Sequence, residues 1–195
     1  MWVDAHPLCD AAHSTLAVVD TQARLAAAMA EHDRARVVST IGRLIEAAGR
    51  LGIPVQVTEQ YPQGLGATVP ELLTRLPAAT RRHPKTGFSC CTAQGFMDDL
   101  EHTARKQVVL TGMEAHVCVL QTALDLHVRG HQVFVVEDAV CSRRADHCAN
   151  GLRRLRDAGL VITNSESVLF EWIRDSRHPD FKAISALVKP GAGGT

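Results

Sequence analysis

The chain has 195 residues, of which 46% are hydrophobic, and its 21 basic residues balance 21 acidic ones. This length fits one domain with a sizeable hydrophobic core, and a net charge of zero gives no reason to expect nucleic acid or an acidic membrane surface as partner. No apolar run is long enough to cross a membrane. The N-terminus lacks the pattern of a signal peptide, and the 6 cysteines form no C-x-x-C pair, so we expect a cytoplasmic protein with reduced thiols.

Strand and helix signals alternate along the chain. Apolar, β-branched runs predict strands at 16–20, 53–58, 107–110, 131–136 and 160–163. Helices are predicted at 35–51, 93–106, after Cys118, and at 146–158, 167–174 and 181–188, and 59–80 is interpreted as a loop with a helical piece at 70–76. Strands that alternate with helices require a parallel sheet with helices on both faces. The pattern predicts a single α/β domain over 1–195, in which 1–13 is an N-terminal extension and the Gly-rich 189–195 a flexible tail.

Cys118 lies near a strand-to-helix turn, after the predicted strand at 107–110. Ligands of parallel sheets bind at the carboxyl ends of the strands. A helix start also offers unpaired N–H groups and a partial positive charge, which favour a thiolate. A buried structural cysteine is the alternative, so position alone leaves the role of Cys118 open.

Two other residues have side chains of the types that assist a nucleophilic cysteine. Asp20 ends the first predicted strand, and Lys85 lies between Pro84 and Gly87, which predicts a turn that holds the lysine in place. A carboxylate can take the thiol proton, an ammonium can stabilise the thiolate, and the thiolate can attack a carbonyl. Taken singly, Asp20 is equally compatible with a helix cap and Lys85 with a solvated surface lysine.

The order Asp20, Lys85, Cys118 resembles the catalytic triad of the isochorismatase-like cysteine hydrolases. An Asp-x-Gln motif at 20–22 and a glycine followed six residues later by Cys-Val at 112–119 match that family, and the stretches 58–66 and 114–122 resemble its isochorismatase-domain-containing subfamily. The resemblance covers about residues 14–187. It implies a three-layer α/β/α architecture with a mostly parallel sheet, which is the isochorismatase-like (Rossmann-like) hydrolase fold.

The resemblance also implies roles for the residues of the site. Cys118 would be the nucleophile, Asp20 the base and then the acid, and Lys85 the group that holds the thiolate. A non-proline cis peptide bond is implied between Met113 and Glu114, and it would direct the Glu114 N–H, with that of Cys118, at a developing oxyanion. Family members usually self-associate, which favours a homo-oligomer.

Candidate substrate-binding residues lie near the same ends of the predicted strands. Gln60, Tyr61 and Leu65 follow the second predicted strand, Phe88 follows the lysine segment, and His116 lies inside the nucleophile turn. For Tyr61 and His116, ordinary packing is an equally good interpretation.

No metal and no cofactor are expected. Nicotinamidases of this superfamily carry an Asp-x-His after the second strand, whereas this chain has Thr58, Glu59, Gln60, Tyr61 and Pro62 there. The 10 histidines do not pair at zinc-ligand spacing with a cysteine or carboxylate cluster.

The presence of Cys118 favours a reaction that differs from the one after which the family is named. Isochorismatases cleave a vinyl ether, and members that lack the cysteine can do so with the carboxylate alone. A chain with Cys118 is better suited to acyl transfer on a small amide-type C–N bond through a thioester. The alternatives are vinyl ether hydrolysis and, because of the adjacent Cys90 and Cys91, a non-catalytic redox sensor or binding protein. The physiological substrate does not follow from the sequence.

Overall fold

The computed structural model describes residues 8–189, in which six parallel strands form one sheet. The strands are β1 (Ser14–Val19), β2 (Val55–Gln60), β3 (Arg81–Lys85), β4 (Gln107–Met113), β5 (Gln132–Cys141) and β6 (Val161–Thr163). Their order in the sheet is β3-β2-β1-β4-β5-β6. The direction of winding therefore reverses between β1 and β4, and the crevice at such a switch point is where open parallel sheets bind ligands.

Helices cover both faces of this sheet. They are α1 (Ala23–Ala27), α2 (Glu31–Arg50), α3 (Pro62–Leu65), α4 (Pro70–Leu73), α5 (Phe96–His102), α6 (Leu120–Val128), α7 (Ala145–Asp157), α8 (Ser165–Ile173) and α9 (Phe181–Leu187). A 3₁₀ turn at Cys90–Thr92 precedes α5, and a π-helical turn at Ala115–Val119 leads into α6.

Two hydrophobic cores lie on opposite faces of the sheet. Alternate residues of β1 serve each core, because successive side chains of a strand point to opposite faces. Leu16 and Val18 pack with α2, α8 and α9, whereas Ala17 and Val19 pack with α5, α6 and α7. This is a three-layer α/β/α arrangement, so the predicted fold class is confirmed.

The strand that carries Lys85 was not predicted. Lys85 was expected on a turn, but it is the last residue of β3. The run Arg81 to Lys85 is polar and contains Pro84, which is why it lacks the apolar signature of a strand. Because β3 lies at the edge and pairs only with β2, a proline and exposed charges are tolerated there.

Other boundaries differ by several residues. The helix predicted at 93–106 is α5, which begins at Phe96 and ends at His102, and β5 runs to Cys141 instead of ending at 136. The flexible tail expected at 189–195 lies outside the described residues except for Lys189, as do the first seven residues of the expected N-terminal extension. Between residues 8 and 189, no helix has the length and apolar character needed to span a membrane.

Candidate active site

A buried ion pair joins the carboxyl ends of two strands of the sheet. Asp20 directly follows β1 and Lys85 ends β3, with β2 between them. The Lys85 Nζ lies 2.6 Å from Asp20 Oδ2, and neither side chain is exposed. Nζ also donates to Gln60 Oε1 at 2.7 Å and to the carbonyl oxygens of Gly87 at 3.2 Å and Phe88 at 2.9 Å. A charge pair can remain buried when its hydrogen-bonding capacity is met in this way.

The backbone at Asp20 adopts an unusual conformation. Its φ is 45°, a region that residues other than glycine seldom occupy. The Asp20 N–H donates to the Thr58 carbonyl at 3.2 Å and its carbonyl accepts from the Gln22 N–H at 2.8 Å. The Thr58 hydroxyl donates to Asp20 Oδ1 at 2.7 Å. Backbone and side chain are thus both held in place, and such strained positions concentrate at functional sites.

Cys118 lies in the π-helical turn after β4 and is 6% exposed. One glycine permits the end of β4 to approach the end of β1. Gly112 pairs with Val19, has a φ of 112°, and a Cβ on it would lie 2.0 Å from the Val19 carbonyl oxygen. Only glycine fits this position, and the close approach sets the turn that carries Cys118 beside the Asp20 end of β1.

The surroundings of Cys118 disfavour a thiolate. Burial raises the pKa of Cys118 well above its usual range, and the negative charge of Asp20 and a hydrogen bond to Asp20 raise it further, while Lys85 opposes them. The thiolate expected at this helix start is therefore wrong for the resting protein, because burial and a neighbouring carboxylate outweigh the helix terminus and the lysine. In this arrangement the carboxylate is placed to take the thiol proton.

The Met113–Glu114 peptide bond is cis, as the resemblance implies. Both residues are buried. The Glu114 carboxylate accepts from the backbone N–H and the Nε of Arg143, each at 3.0 Å. These contacts join the nucleophile turn to the segment that follows β5.

The five expected substrate-binding residues have different surroundings. Gln60 belongs to the support of the lysine, since Oε1 accepts from Lys85 and its Nε2 donates to a backbone carbonyl at 2.6 Å. Tyr61 and Phe88 are 56% and 53% exposed, respectively, and Leu65 is partly buried. Tyr61 contributes to a cavity of about 310 Å³, which is lined by Tyr61, Pro62, Gln63, Pro84, Lys85, Thr86, Thr92 and Gln94.

His116 lies within the nucleophile turn, where its ring contacts Ser142 and His147. Its Nδ1 lies 2.9 Å from Ser142 Oγ, and its ring centroid is 4.8 Å from that of His147. Burial lowers the pKa of His116, and the nearby charge of Glu114 opposes that shift. His116 and Tyr61 therefore belong to different surroundings, and His116 does not line the cavity that contains Tyr61.

Three residues near the pair were not predicted from the sequence to support it. Gln22 holds the loop after β2, because its side chain bonds Gln60 through both the backbone N–H and the carbonyl, at 2.7 and 3.0 Å, and Gly66 at 2.6 Å. Thr58 contacts Asp20, and Cys90 lies 3.3 Å from Thr58 Oγ1. The Asp-x-Gln motif was the available signal for Gln22, but no sequence pattern marks the contact between Thr58 and Cys90.

Clusters of acidic, histidine and cysteine side chains are the usual ligands of metal ions in proteins. In the part of the chain that the structure describes, no group of three or more of them is arranged to hold a metal ion. All six cysteines are free thiols.

Architecture and comparison lead to the same class of protein. The parallel sheet with helices on both faces has the fold of the isochorismatase-like hydrolases: it superimposes on the YcaC gene product of Escherichia coli, described as an octameric hydrolase of unknown specificity, with a TM-score of 0.84 and 25% identity over 95% of this chain and 91% of that one. A structure of the MAR1 ribonuclease from Caenorhabditis elegans has a TM-score of 0.89 and 39% identity over 96% and 95% of the two chains.

The family follows from the sequence matches. The model of the isochorismatase domain matches residues 14–167, so the chain belongs to the isochorismatase family, as its motifs predicted. It is 44% identical over 156 residues to isochorismatase domain-containing protein 1 of Danio rerio, a match that covers 80% of this chain and 54% of that protein. It is 41% identical over 158 residues to isochorismatase domain-containing protein 2 of Homo sapiens, covering 80% and 75%. The chain thus spans about half the length of the first of these relatives.

Proposed function

We propose that the chain is a cysteine hydrolase that cleaves a small amide-type C–N bond through a thioester on Cys118, without a metal or another cofactor. One observation carries the proposal. The Asp20 carboxylate is fully buried and lies 2.6 Å from the Lys85 ammonium, and, after burial, its negative charge is the next largest cause that raises the pKa of the neighbouring Cys118 thiol. A carboxylate beside a protonated thiol is suited to general-base catalysis, in which deprotonation and attack occur together.

The reaction then proceeds in two halves. Asp20 takes the thiol proton while the sulfur of Cys118 bonds to the substrate carbonyl carbon, and the backbone N–H groups of Glu114 and Cys118 stabilise the oxyanion. Asp20 returns the proton to the leaving nitrogen as the C–N bond breaks. A water molecule next attacks the thioester and gives a proton to Asp20, which passes it to the Cys118 sulfur as the C–S bond breaks, so that the acid product is released and the thiol and carboxylate are restored. Throughout, the Lys85 ammonium keeps the carboxylate oriented and balances negative charge in the site.

The rim favours a neutral, polar substrate. The cavity that includes Tyr61 is lined by uncharged polar side chains and two prolines, and Lys85, its one charged lining residue, is already bound to Asp20. The exposed rings of Tyr61 and Phe88 offer flat apolar surface. Tyr61, Leu65, Phe88 and His116 are proposed to contact the substrate, and Gln60 to act through Lys85.

Ribonuclease activity is a second candidate because of the name carried by the similar protein from Caenorhabditis elegans. RNA-binding surfaces need unpaired basic groups for the phosphates. Near Lys85, Arg81 lies 2.6 Å from Asp99 and Arg82 lies 3.4 Å from Glu59, and the net charge of the chain is zero. These pairs favour the amide substrate over RNA.

The chain is proposed to form one catalytic domain of a cytoplasmic homo-oligomer. The six free cysteines fit a reducing compartment, and the Escherichia coli relative is described as an octamer. Neither a nucleic acid nor a membrane is proposed as partner.

The decisive experiment is a turnover screen with small amides, ureido compounds, isochorismate and a short RNA. Amide or ureide hydrolysis that disappears in Cys118→Ala, together with an acyl adduct on the Cys118 peptide after rapid quenching, is the expected result. Isochorismate turnover that persists in Cys118→Ala would instead indicate vinyl ether hydrolysis by the carboxylate. RNA cleavage alone would favour the ribonuclease candidate, and a reversible peroxide-induced disulfide without turnover would favour a redox sensor.

A further inference from the structure

Thr58 holds Asp20 through both its backbone and its side chain. It lies in the interior of β2, is buried, and pairs with Val19, the residue before Asp20. Its carbonyl accepts from the Asp20 N–H at 3.2 Å. Its hydroxyl oxygen lies 2.7 Å from Asp20 Oδ1 and 3.3 Å from Cys90 Sγ.

The chemistry of these partners determines the direction of each hydrogen bond. An ionised carboxylate can only accept, so the single hydroxyl proton of Thr58 goes to Asp20. The hydroxyl oxygen must then accept from Cys90, and burial, the first of several causes, raises the pKa of Cys90 to about 12, which keeps that thiol protonated as a donor. The result is a buried chain in which Cys90 donates to Thr58 and Thr58 donates to Asp20.

The two oxygens of Asp20 therefore have different partners. Oδ2 is bound by Lys85 and Oδ1 by Thr58. With both oxygens held, the carboxylate has one orientation, and it is in this orientation that its negative charge acts on the neighbouring Cys118 thiol.

We infer that Thr58 is a positioning residue, which keeps the Asp20 carboxylate aimed at the Cys118 thiol, and that Cys90 is the outer donor of the same chain. The inference rests on the proposed function, because it assigns Thr58 to the base of that reaction. The role assigned to Thr58 is exercised through its contacts with Asp20.

Three variants test this inference. Thr58→Val removes the hydroxyl at nearly constant shape, Thr58→Ser restores it, and Cys90→Ala removes the outer donor. Thr15→Val is the matched control, since Thr15 is a buried threonine of the neighbouring strand whose hydroxyl finds no hydrogen-bond partner within residues 8–189.

The main measurement needs no substrate. The rate at which chloroacetamide modifies Cys118 is followed by peptide mass spectrometry across the pH range. We expect Thr58→Val to slow modification near neutral pH by roughly tenfold, and to move the acidic fall in rate upward by about one pH unit, because one hydrogen bond to a charged group is lost. Thr58→Ser should stay within about twofold of the unaltered protein, Cys90→Ala should show a smaller change in the same direction, and Thr15→Val none.

The outcomes separate this inference from the proposed function. An unchanged rate and pH profile in Thr58→Val overturns the inference, and so does equal loss in Thr58→Val and Thr58→Ser, which would indicate a packing role. If Thr58→Val does not fold, the rates and pH profiles of Cys118 modification in Thr58→Ser and Cys90→Ala are used instead. A Cys90→Ala profile that matches that of the unaltered protein contradicts the hydrogen-bonded chain. If the turnover screen yields no product, the proposed hydrolase activity is contradicted. The rates of Cys118 modification still test the role of Thr58 in that case.

Discussion

Lys85 Nζ and Asp20 Oδ2 lie 2.6 Å apart, and both side chains are completely buried. Strand β2 separates the strands that carry them, so the pair crosses two strand spacings at the edge of the sheet. Burial of two charges is costly unless each remains paired. Removal of one partner would therefore leave the other charge buried without compensation.

Loss of one partner should therefore destabilise the protein. We expect Lys85→Met to lower the free energy of unfolding by about 3 to 5 kcal/mol, because Asp20 is left as an uncompensated buried charge. The double variant Asp20→Asn with Lys85→Met should recover part of that loss. Urea denaturation measures both, with Lys182→Met on the exposed surface of α9 as control. Equal stability of the unaltered protein and Lys85→Met would contradict the importance of the pair.

The Asp20→Asn variant should lose its catalytic turnover although its Cys118 thiol ionises more readily. Because the charge of Asp20 and its hydrogen bond raise the pKa of Cys118, their removal should lower that pKa, so the alkaline rise in Cys118 modification should begin at a lower pH. Turnover should nevertheless fall by orders of magnitude, since the base is lost. An unchanged alkaline profile would mean that Asp20 does not lie beside the sulfur.

The buried thiols should make the fold sensitive to alkali. Burial, as the leading cause, raises the pKa of Cys90 and of Cys141 from the usual 9.0 to about 12. In the unfolded chain these thiols lose their protons above about pH 9, while the folded protein keeps them. Their stabilising contribution is thus complete below pH 9 and is lost as the pH rises toward 12.

This dependence can be measured by urea denaturation at increasing pH. Cys141→Val should show a shallower decline than the unaltered protein, because one such thiol is absent. Cys91→Ser provides the comparison, as Cys91 is only partly buried. The same slope in all three proteins would show that other groups cause the alkaline loss of stability.

Gly112→Ala should damage the fold more than substitution of other glycines with positive φ. Its Cβ would lie 2.0 Å from the Val19 carbonyl oxygen, whereas a Cβ on Gly130, whose φ is 84°, would meet nothing within 4 Å. We expect Gly130→Ala to cost about 1 kcal/mol and Gly112→Ala more than about 3 kcal/mol. Comparable thermal midpoints for the two variants would refute the close approach of β1 and β4.

Activity should survive removal of metal ions. The proposed steps use Asp20, Lys85 and Cys118, and the Glu59 carboxylate, near the end of β2, is already bound to Thr68 at 2.8 Å. We expect full turnover after dialysis against a chelator and no stoichiometric zinc, iron or manganese by elemental analysis. One metal per chain, with activity lost on its removal, would overturn the proposed mechanism.

Local pattern predicted some elements well and others not at all. The apolar strands β1, β4 and β6 were found because they lie inside the sheet or carry short β-branched runs. The polar edge strand β3 was missed, since its pairing with β2 and not its own composition makes it a strand. The family was found because its motifs occur in the right order along the chain.

The sequence by itself determined the α/β class, the family, and the three residue types proposed for the reaction, because these depend on periodicity and on motif order. Only the tertiary structure decided how Asp20, Lys85 and Cys118 meet, through the strand order and the register of β1, β2, β3 and β4. It also decided the protonation of Cys118, which burial and Asp20 control, and the contact of Thr58 with Cys90. The physical reason is that burial, charge and hydrogen bonding act between residues that are distant in the chain and adjacent only when the sheet has formed.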